Sequence, residues 1–379
     1  MRTEETIPIR SGIGYLSFTD RGAALAETIC SRLGGEAARC GPGRREAVSL
    51  SGWTAEAFPA KRALVYVGAA GIAVRAIAPY VRDKSRDPAV VAVDEQGRFV
   101  VPLLSGHLGG ANDLARAIAE ITGGTAVITS ATDLRGVFAV DDWARRQDCA
   151  VVNPAYIKKV SGALLDGRAV RVRSAFPICG TPPEGVVYTE PGCTEPDAPV
   201  PGDAVSAAQT DAPDVWVDIR RPADCNRDTL YIAPRVLVLG VGCKQGTTAE
   251  TLESRFQSLC RETELLPEAF QAAATIDRKA EELGLLSFCA RRGWPLYAYT
   301  AEELRQVPGA FTASAFVEET VGVGNVCERA AVLGAGEQDG TAVLLVKKYA
   351  GEGVALAAAQ RPVRLDWTST ADTGSQEEA

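Results

Sequence analysis

The chain has a single histidine in 379 residues. Its ten cysteines are scattered at 30, 40, 149, 179, 193, 225, 243, 260, 289 and 327 with no C-x-x-C pair, so no zinc-site spacing exists and no resident metal is expected. Basic residues are in the minority, 40 Lys+Arg against 48 Asp+Glu for a net charge of −8, and aromatics make up 6%. Without a basic stripe and interleaved aromatics, nucleic acid is not an expected partner. Apolar runs are broken by glycine well short of the about 20 residues that a membrane helix needs, and no membrane association is expected. The opening MRTEETIPIR has no apolar signal core, which points to a cytoplasmic protein with free thiols. No Ser-His-Asp order and no glycine-framed nucleophilic serine are visible.

What is present is an ordinary globular composition, 46% hydrophobic, in a chain long enough for two or three domains. We expect an α/β fold, with two α/β domains of mainly parallel sheet joined by a small β-rich middle domain. The first domain, 1–141, alternates strand-like runs at 13–18, 63–67, 89–93, 99–104 and 126–129 with helical patterns at 23–33, 72–81 and 114–121. The runs at 89–93 and 99–104 flank DEQGR, a turn suited to a hairpin. Residues 142–234 form the middle domain, with strand-like RAVRVRS, GVVYTE, DVWVDIR and TLYIAP and a proline-rich loop between Pro182 and Pro213. Residues 235–366 repeat the strand–helix alternation, and 367–379 read as a disordered tail.

Three glycine-rich turns lead from a strand into a helix. In the first domain, Ser105, Gly106, His107, Gly109 and Gly110 precede Asn112 and Asp113 in SGHLGGAND, where backbone N–H groups, a helix start and an imidazole could converge on one group. A plain loop histidine is the competing reading, and the residues alone leave both open. Gly68 and Gly71 open a second helix, followed by Arg75, Arg82, Lys84 and Arg86, which read either as a solvated face or as clamps for carboxylates. In the last domain, Gly240, Gly242 and Gly246 surround Cys243 and Lys244, with Thr247 and Glu250 as a candidate capping box. That loop could cradle an anion, bind a dinucleotide or simply pack tightly; the acidic partner that a dinucleotide site needs is missing. Asp277 and Lys279 follow another strand-like run, where Asp277 could cap a helix.

Together these segments resemble the cobalt-precorrin-5A hydrolases of anaerobic cobalamin biosynthesis, the CbiG family. The likeness rests on GIAVRAIAPYVRDKSRDPAVVAVDEQGRFVVPLLSGHLGGANDLARAIA and AVITSATD, then on GVGCKQGTT, TIDRKAEELGLL and VEETVGVGNVCERAAVLGAG. It implies a hydrolase that opens the δ-lactone of a cobalt-bearing tetrapyrrole undergoing ring contraction and releases acetaldehyde, giving cobalt-precorrin-5B. The cobalt would be carried by the substrate, with no further cofactor, and contacts with other enzymes of the pathway would be transient. On this reading His107 is assigned as general base, the N–H groups of Gly109 and Gly110 face the oxyanion, and Lys84 is a second candidate for that oxyanion. Arg75 and Lys84 clamp carboxylates, and Asp113 could orient His107, with helix capping by Asn112 or Asp113 as the favoured alternative. Gly68, Gly71, Ser105, Gly106 and Asn112 would contact substrate, as would Gly242, Cys243, Lys244, Gly246, Thr247, Asp277 and Lys279 at the far edge of the ring. Two alternatives stay open: a non-catalytic carrier or scaffold for tetrapyrrole intermediates, and a nucleotide-dependent enzyme such as a methyltransferase.

Overall fold

The computed structural model describes residues 12–41, 48–83, 86–189, 214–221, 228–314, 318–319, 321–336 and 342–368. Two compact units are present, residues 1–145 and 146–379.

In the first unit the apolar runs IGYLS, ALVYV and AVVAV are buried along their whole length, as a sheet covered on both faces requires. They are β1 (Ile13–Ser17), β3 (Ala63–Val67) and β4 (Ala89–Val93) of a six-stranded sheet ordered β2-β1-β3-β4-β5-β6. The remaining strands are β2 (Glu36–Arg39), β5 (Phe99–Leu104) and β6 (Thr125–Ala126). Every pairing is parallel except β4 with β5, the hairpin expected at DEQGR. Helices α1 (Asp20–Leu33) and α4 (Ala111–Thr122) cover one face through Ile29, Ala115 and Ile118. On the other face lie α2 (Leu50–Ala60) and α3 (Ala70–Ile77), through Phe58, Ala73 and Ile77. Two short helices, α5 (Ala131–Arg135) and α6 (Val140–Arg146), follow β6.

The hairpin sets the position of every candidate residue in this unit. Because β5 runs against β4, Leu104 pairs with Val90, and the carboxyl end of β5 lies beside the start of β4. The SGHLGG turn and the Gly68–Gly71 turn therefore sit at opposite edges of the sheet, a five-residue strand of about 16 Å apart.

The second unit holds two five-stranded sheets. The first contains β7 (Cys149–Val151), β8 (Val170–Ser174), β10 (Val186–Thr189), β11 (Val215–Val217) and β12 (Leu230–Pro234), ordered β10-β8-β11-β12-β7 and parallel except at β7. Helix α7 (Ile157–Leu165) precedes β8. Residues 190–213, most of the proline-rich loop, lie outside the described residues. In the second sheet β13 (Leu237–Cys243), β14 (Phe270–Ile276) and β15 (Leu296–Tyr299) are parallel, linked by α8 (Ala249–Thr263) and α9 (Leu283–Arg292). The antiparallel hairpin of β16 (Val343–Gly351) and β17 (Val354–Gln360) completes it beside β13, and α10 (Ala301–Gln306) and α11 (Cys327–Ala335) precede that hairpin. The short strands β9 (Ile178–Cys179) and β18 (Leu365–Asp366) pair with each other, and Trp367 is buried with its ring 5.4 Å from that of Tyr188. Ordered packing therefore includes Trp367, the first residue of the expected tail; residues 369–379 lie outside the described residues.

Glu328 explains part of the VGVGNVCERAAVLGAG segment. Its buried carboxylate accepts the backbone N–H groups of Thr312 at 2.8 Å and Lys348 at 2.7 Å, which holds its pKa below the usual range despite burial. Gly240 has a steric role: a Cβ there would lie 1.8 Å from the Cys327 carbonyl oxygen, so α11 can approach β13 only across glycine. At Gly242 the nearest atom would be 3.8 Å away. Gly240→Ala is expected to cost about 1–3 kcal/mol or more in urea unfolding, with Gly242→Ala near neutral. Equal effects would contradict this packing.

Candidate active site

The SGHLGG loop leaves β5 with Ser105 in the left-handed region at φ 56°, a conformation that costs a non-glycine residue roughly 1–2 kcal/mol. It is held there by its hydroxyl, which donates to the Asp87 carbonyl oxygen at 3.1 Å. The Ala111 and Asn112 N–H groups donate to the carbonyls of Ser105 and Gly106. Gly109 packs onto Ser105, where a Cβ would lie 2.4 Å from the serine Cβ. These contacts fold the loop back on the start of α4 and present His107 at the carboxyl ends of the parallel pair β5 and β6, where α/β proteins place ligands.

His107 lies between two carboxylates. Nε2 is 2.7 Å from Asp133 Oδ2 on α5, and Nδ1 is 3.5 Å from Asp141 Oδ1 on α6. Thr132 Oγ1 is 3.3 Å from Nε2. A neutral imidazole has a proton on one nitrogen only, so a carboxylate at each nitrogen favours the cation. Asp141 foremost, with Asp133, pushes the His107 pKa up from 6.5 to about 9 against the opposing effect of burial. Burial opposes ionisation of Asp133 too, but hydrogen bonds from Ser130, His107 and Arg116 bring its pKa down to about 2. Asn112, itself buried, donates through Nδ2 to Asp133 Oδ2 and to Ser130 Oγ, both at 3.1 Å.

Beside this cluster lies a cavity of about 260 Å³. Pro102, Leu103, Leu104 and Leu108 supply an apolar wall, and Ser105, His107, Asn112, Ser130 and Asp141 are among its polar lining. A concave apolar site with a few convergent polar groups and a perturbed pKa is the usual form of a small-molecule site.

The structure brings Ser105, Gly106, His107, Gly109, Gly110 and Asn112 together and changes several expected roles. His107 is a cation at neutral pH, so it does not have the free nitrogen lone pair of a general base. The Gly110 N–H is already engaged by the His107 carbonyl at 2.9 Å, leaving Gly109 as the remaining backbone donor of that pair. Asp113 does not orient His107; it pairs with Arg116 and Arg145, and no side chain caps α4. Gly68, Gly71 and the exposed Arg75 belong to the opposite sheet edge, with the Arg75 guanidinium turned back over Gly71. Lys84 lies outside the described residues. Sequence reasoning missed both carboxylates around His107. Asp133 was available as the last residue of AVITSATD, whereas Asp141 in VDDW had no local signal.

At the carboxyl edge of β13 and β14 the structure gathers Gly242, Cys243, Lys244, Gly246, Thr247, Asp277 and Lys279. Glu282 already fills the anion position: Oε1 accepts the Gly246 N–H at 2.7 Å, and Oε2 is 2.9 Å from Lys279 Nζ. The expected capping box of Thr247 and Glu250 does not form: Thr248 caps α8 by accepting the Thr251 N–H, while the Thr247 hydroxyl donates to the Lys244 carbonyl. Burial raises the Cys243 thiol pKa more than Lys279 lowers it, so the thiol stays protonated. Among the described residues no group of three or more histidine, cysteine or acidic side chains is placed to hold a metal ion, and no helix is long and apolar enough to cross a membrane.

A cavity with an apolar wall and convergent polar groups, outside the carboxyl ends of a parallel strand pair, is where α/β folds place small-molecule sites. The chain belongs to the cobalamin synthesis G family: the family's N-terminal part matches residues 52–133 and its C-terminal part residues 237–359. The first match contains His107, Asn112 and Asp133, and Asp141 lies just beyond it. The cobalt-precorrin-5A hydrolase of Salmonella typhimurium is 33% identical over 280 residues, covering 73% of this chain and 77% of that protein. The protein of the same name from Priestia megaterium is 29% identical over 306 residues, covering 78% and 77%. A solved cobalamin biosynthesis protein G homologue from Sulfolobus solfataricus is 20% identical, with a TM-score of 0.39 over 94% of this chain and 99% of that one.

The raised His107 pKa makes stability depend on pH with a definite sign. The contribution is fully present below the unfolded value of 6.5 and is lost as pH rises through about 9. Between those limits wild type is expected to lose up to about 3 kcal/mol of unfolding free energy that His107→Gln does not lose. Parallel pH curves for the two proteins in urea denaturation would contradict the pairing.

Proposed function

We propose that the protein opens the δ-lactone of cobalt-precorrin-5A and releases acetaldehyde to give cobalt-precorrin-5B, acting in the cytoplasm in anaerobic cobalamin biosynthesis. The observation that carries this reading is the imidazolium of His107 fixed on the wall of the cavity. It is supported by the relatives from two bacteria that bear the name cobalt-precorrin-5A hydrolase.

A cavity of about 260 Å³ falls below the ~300–1,000 Å³ typical of a whole drug-sized ligand. On this reading only the lactone edge enters it, and the rest of the macrocycle stays outside. Water attacks the acyl carbon, and the carbonyl oxygen becomes an oxyanion that the positive charge of His107 can face. Loss of one oxyanion-stabilising group typically costs about 10²–10³-fold in rate. Breaking the acyl C–O bond releases an oxygen whose collapse to a carbonyl cleaves the adjacent C–C bond and frees acetaldehyde. The electron pair passes into the macrocycle, which carries its own cobalt, so the reading requires no resident metal or cofactor.

Purified protein given cobalt-precorrin-5A is expected to release one equivalent of acetaldehyde. His107→Gln should lower kcat by about 10²–10³-fold with substrate binding retained. Tight binding by the wild type without acetaldehyde would replace the hydrolase with a carrier.

A further inference from the structure

We infer that Asp141 is the general base that takes a proton from the attacking water, a role that rests on the hydrolase reading above. With His107 held as a cation, the proton acceptor must come from elsewhere, and two carboxylates adjoin the imidazole. Asp133, whose Oδ2 receives His107, Asn112 and Ser130 and whose Oδ1 receives Arg116, is not part of the cavity lining. Asp141 is the acid among the described residues that line the cavity. It sits in the first turn of α6, 4% exposed, with its Oδ1 within reach of the Asp142 N–H at 3.2 Å and of His107 Nδ1 at 3.5 Å.

The charges around it suit the step. His107 faces Asp141 from the loop, with Asp133 on α5 behind the imidazole; Arg116 and Asp113 of α4 and Arg145 and Asp142 of α6 pair among themselves and with Asp133. As the water oxygen bonds to the acyl carbon, its proton moves to Asp141 and the carbonyl π pair moves to oxygen. Negative charge disappears from the carboxylate as it appears on the oxyanion, so the net charge of the cavity does not change during attack. That exchange avoids the large penalty of creating a charge in a poorly solvated site. When the acyl C–O bond breaks, the departing alkoxide takes the proton from Asp141, which restores the carboxylate and leaves a hydroxy acid; as the C–C bond then breaks, the hydroxyl proton leaves through Asp141 to solvent and the bonding pair passes into the macrocycle. Once that acid ionises, its carboxylate faces Asp141 across the cavity, and like-charge repulsion favours release.

The test compares wild type, Asp141→Asn and Asp141→Glu in steady-state kinetics, with thermal unfolding as the check on folding. Asp141→Asn is expected to lower kcat by about 10²–10⁴-fold with KM within a few-fold, and Asp141→Glu to recover part of that loss. Inhibition by cobalt-precorrin-5B should tighten roughly tenfold in Asp141→Asn, a change that a merely structural role would not produce. An Asp141→Asn protein that turns over within tenfold of wild type overturns the assignment. Should that variant fail to fold, Asp141→Ser with added formate decides: turnover that rises with formate concentration is expected of a lost carboxylate base, and a low rate that formate does not change overturns the assignment. A wild type with no turnover removes the hydrolase reading and the base together, whereas an active wild type with an equally active Asp141→Asn removes only the base.

Discussion

The contact on which the first unit's site depends is the ion pair between His107 and Asp133, extended by Asp141 on the other ring nitrogen. His107 stands on the loop after β5, Asp133 on α5 and Asp141 on α6, so the imidazolium ties three successive elements to one point. Asp133 is shared onward with Arg116, which pairs with Asp113, which pairs with Arg145 and through it Asp142. Positive and negative groups alternate along this row, and it fastens two short helices to α4. Helices of five and seven residues have little stability of their own. Their place is set by this network and by buried side chains such as Trp143 and Val140.

A second constraint is the antiparallel strand within an otherwise parallel sheet. Had β5 run with β4, the turns at Gly68 and at SGHLGG would share one edge, and the cations near each could grip a single ligand. The reversed strand puts them on opposite edges and leaves His107 with neighbours from residues 102–112 and 129–141. Both glycine-rich turns read the same in sequence; strand direction separates them. In the second unit β13 and β14 are parallel, and there the predicted residues do share one edge.

The sequence was informative where a pattern is local. Buried strands such as ALVYV and AVVAV, the DEQGR hairpin and the α4 stripe of Ala115 and Ile118 all follow from apolar spacing. Elements with weak patterns escaped: β2 is a short, largely exposed EAAR, and α2 contains Gly52 and Pro59, both unfavourable in helices. The charge state of His107 was not legible, because it depends on acids 26 and 34 positions away whose approach is set by tertiary packing. Glycines also carried less information than their number implies. Of the readings open for the Gly240 loop, tight packing holds at Gly240, which makes room for α11.

The central claim is that this histidine is a fixed cation and not a neutral base. The chain contains one histidine, so protein labelled in the imidazole ring gives one signal without assignment. Its NMR titration tests the claim directly. The account predicts a midpoint near the pKa of about 9 set by Asp141 and Asp133. A midpoint at the ordinary value of about 6.5 would contradict it.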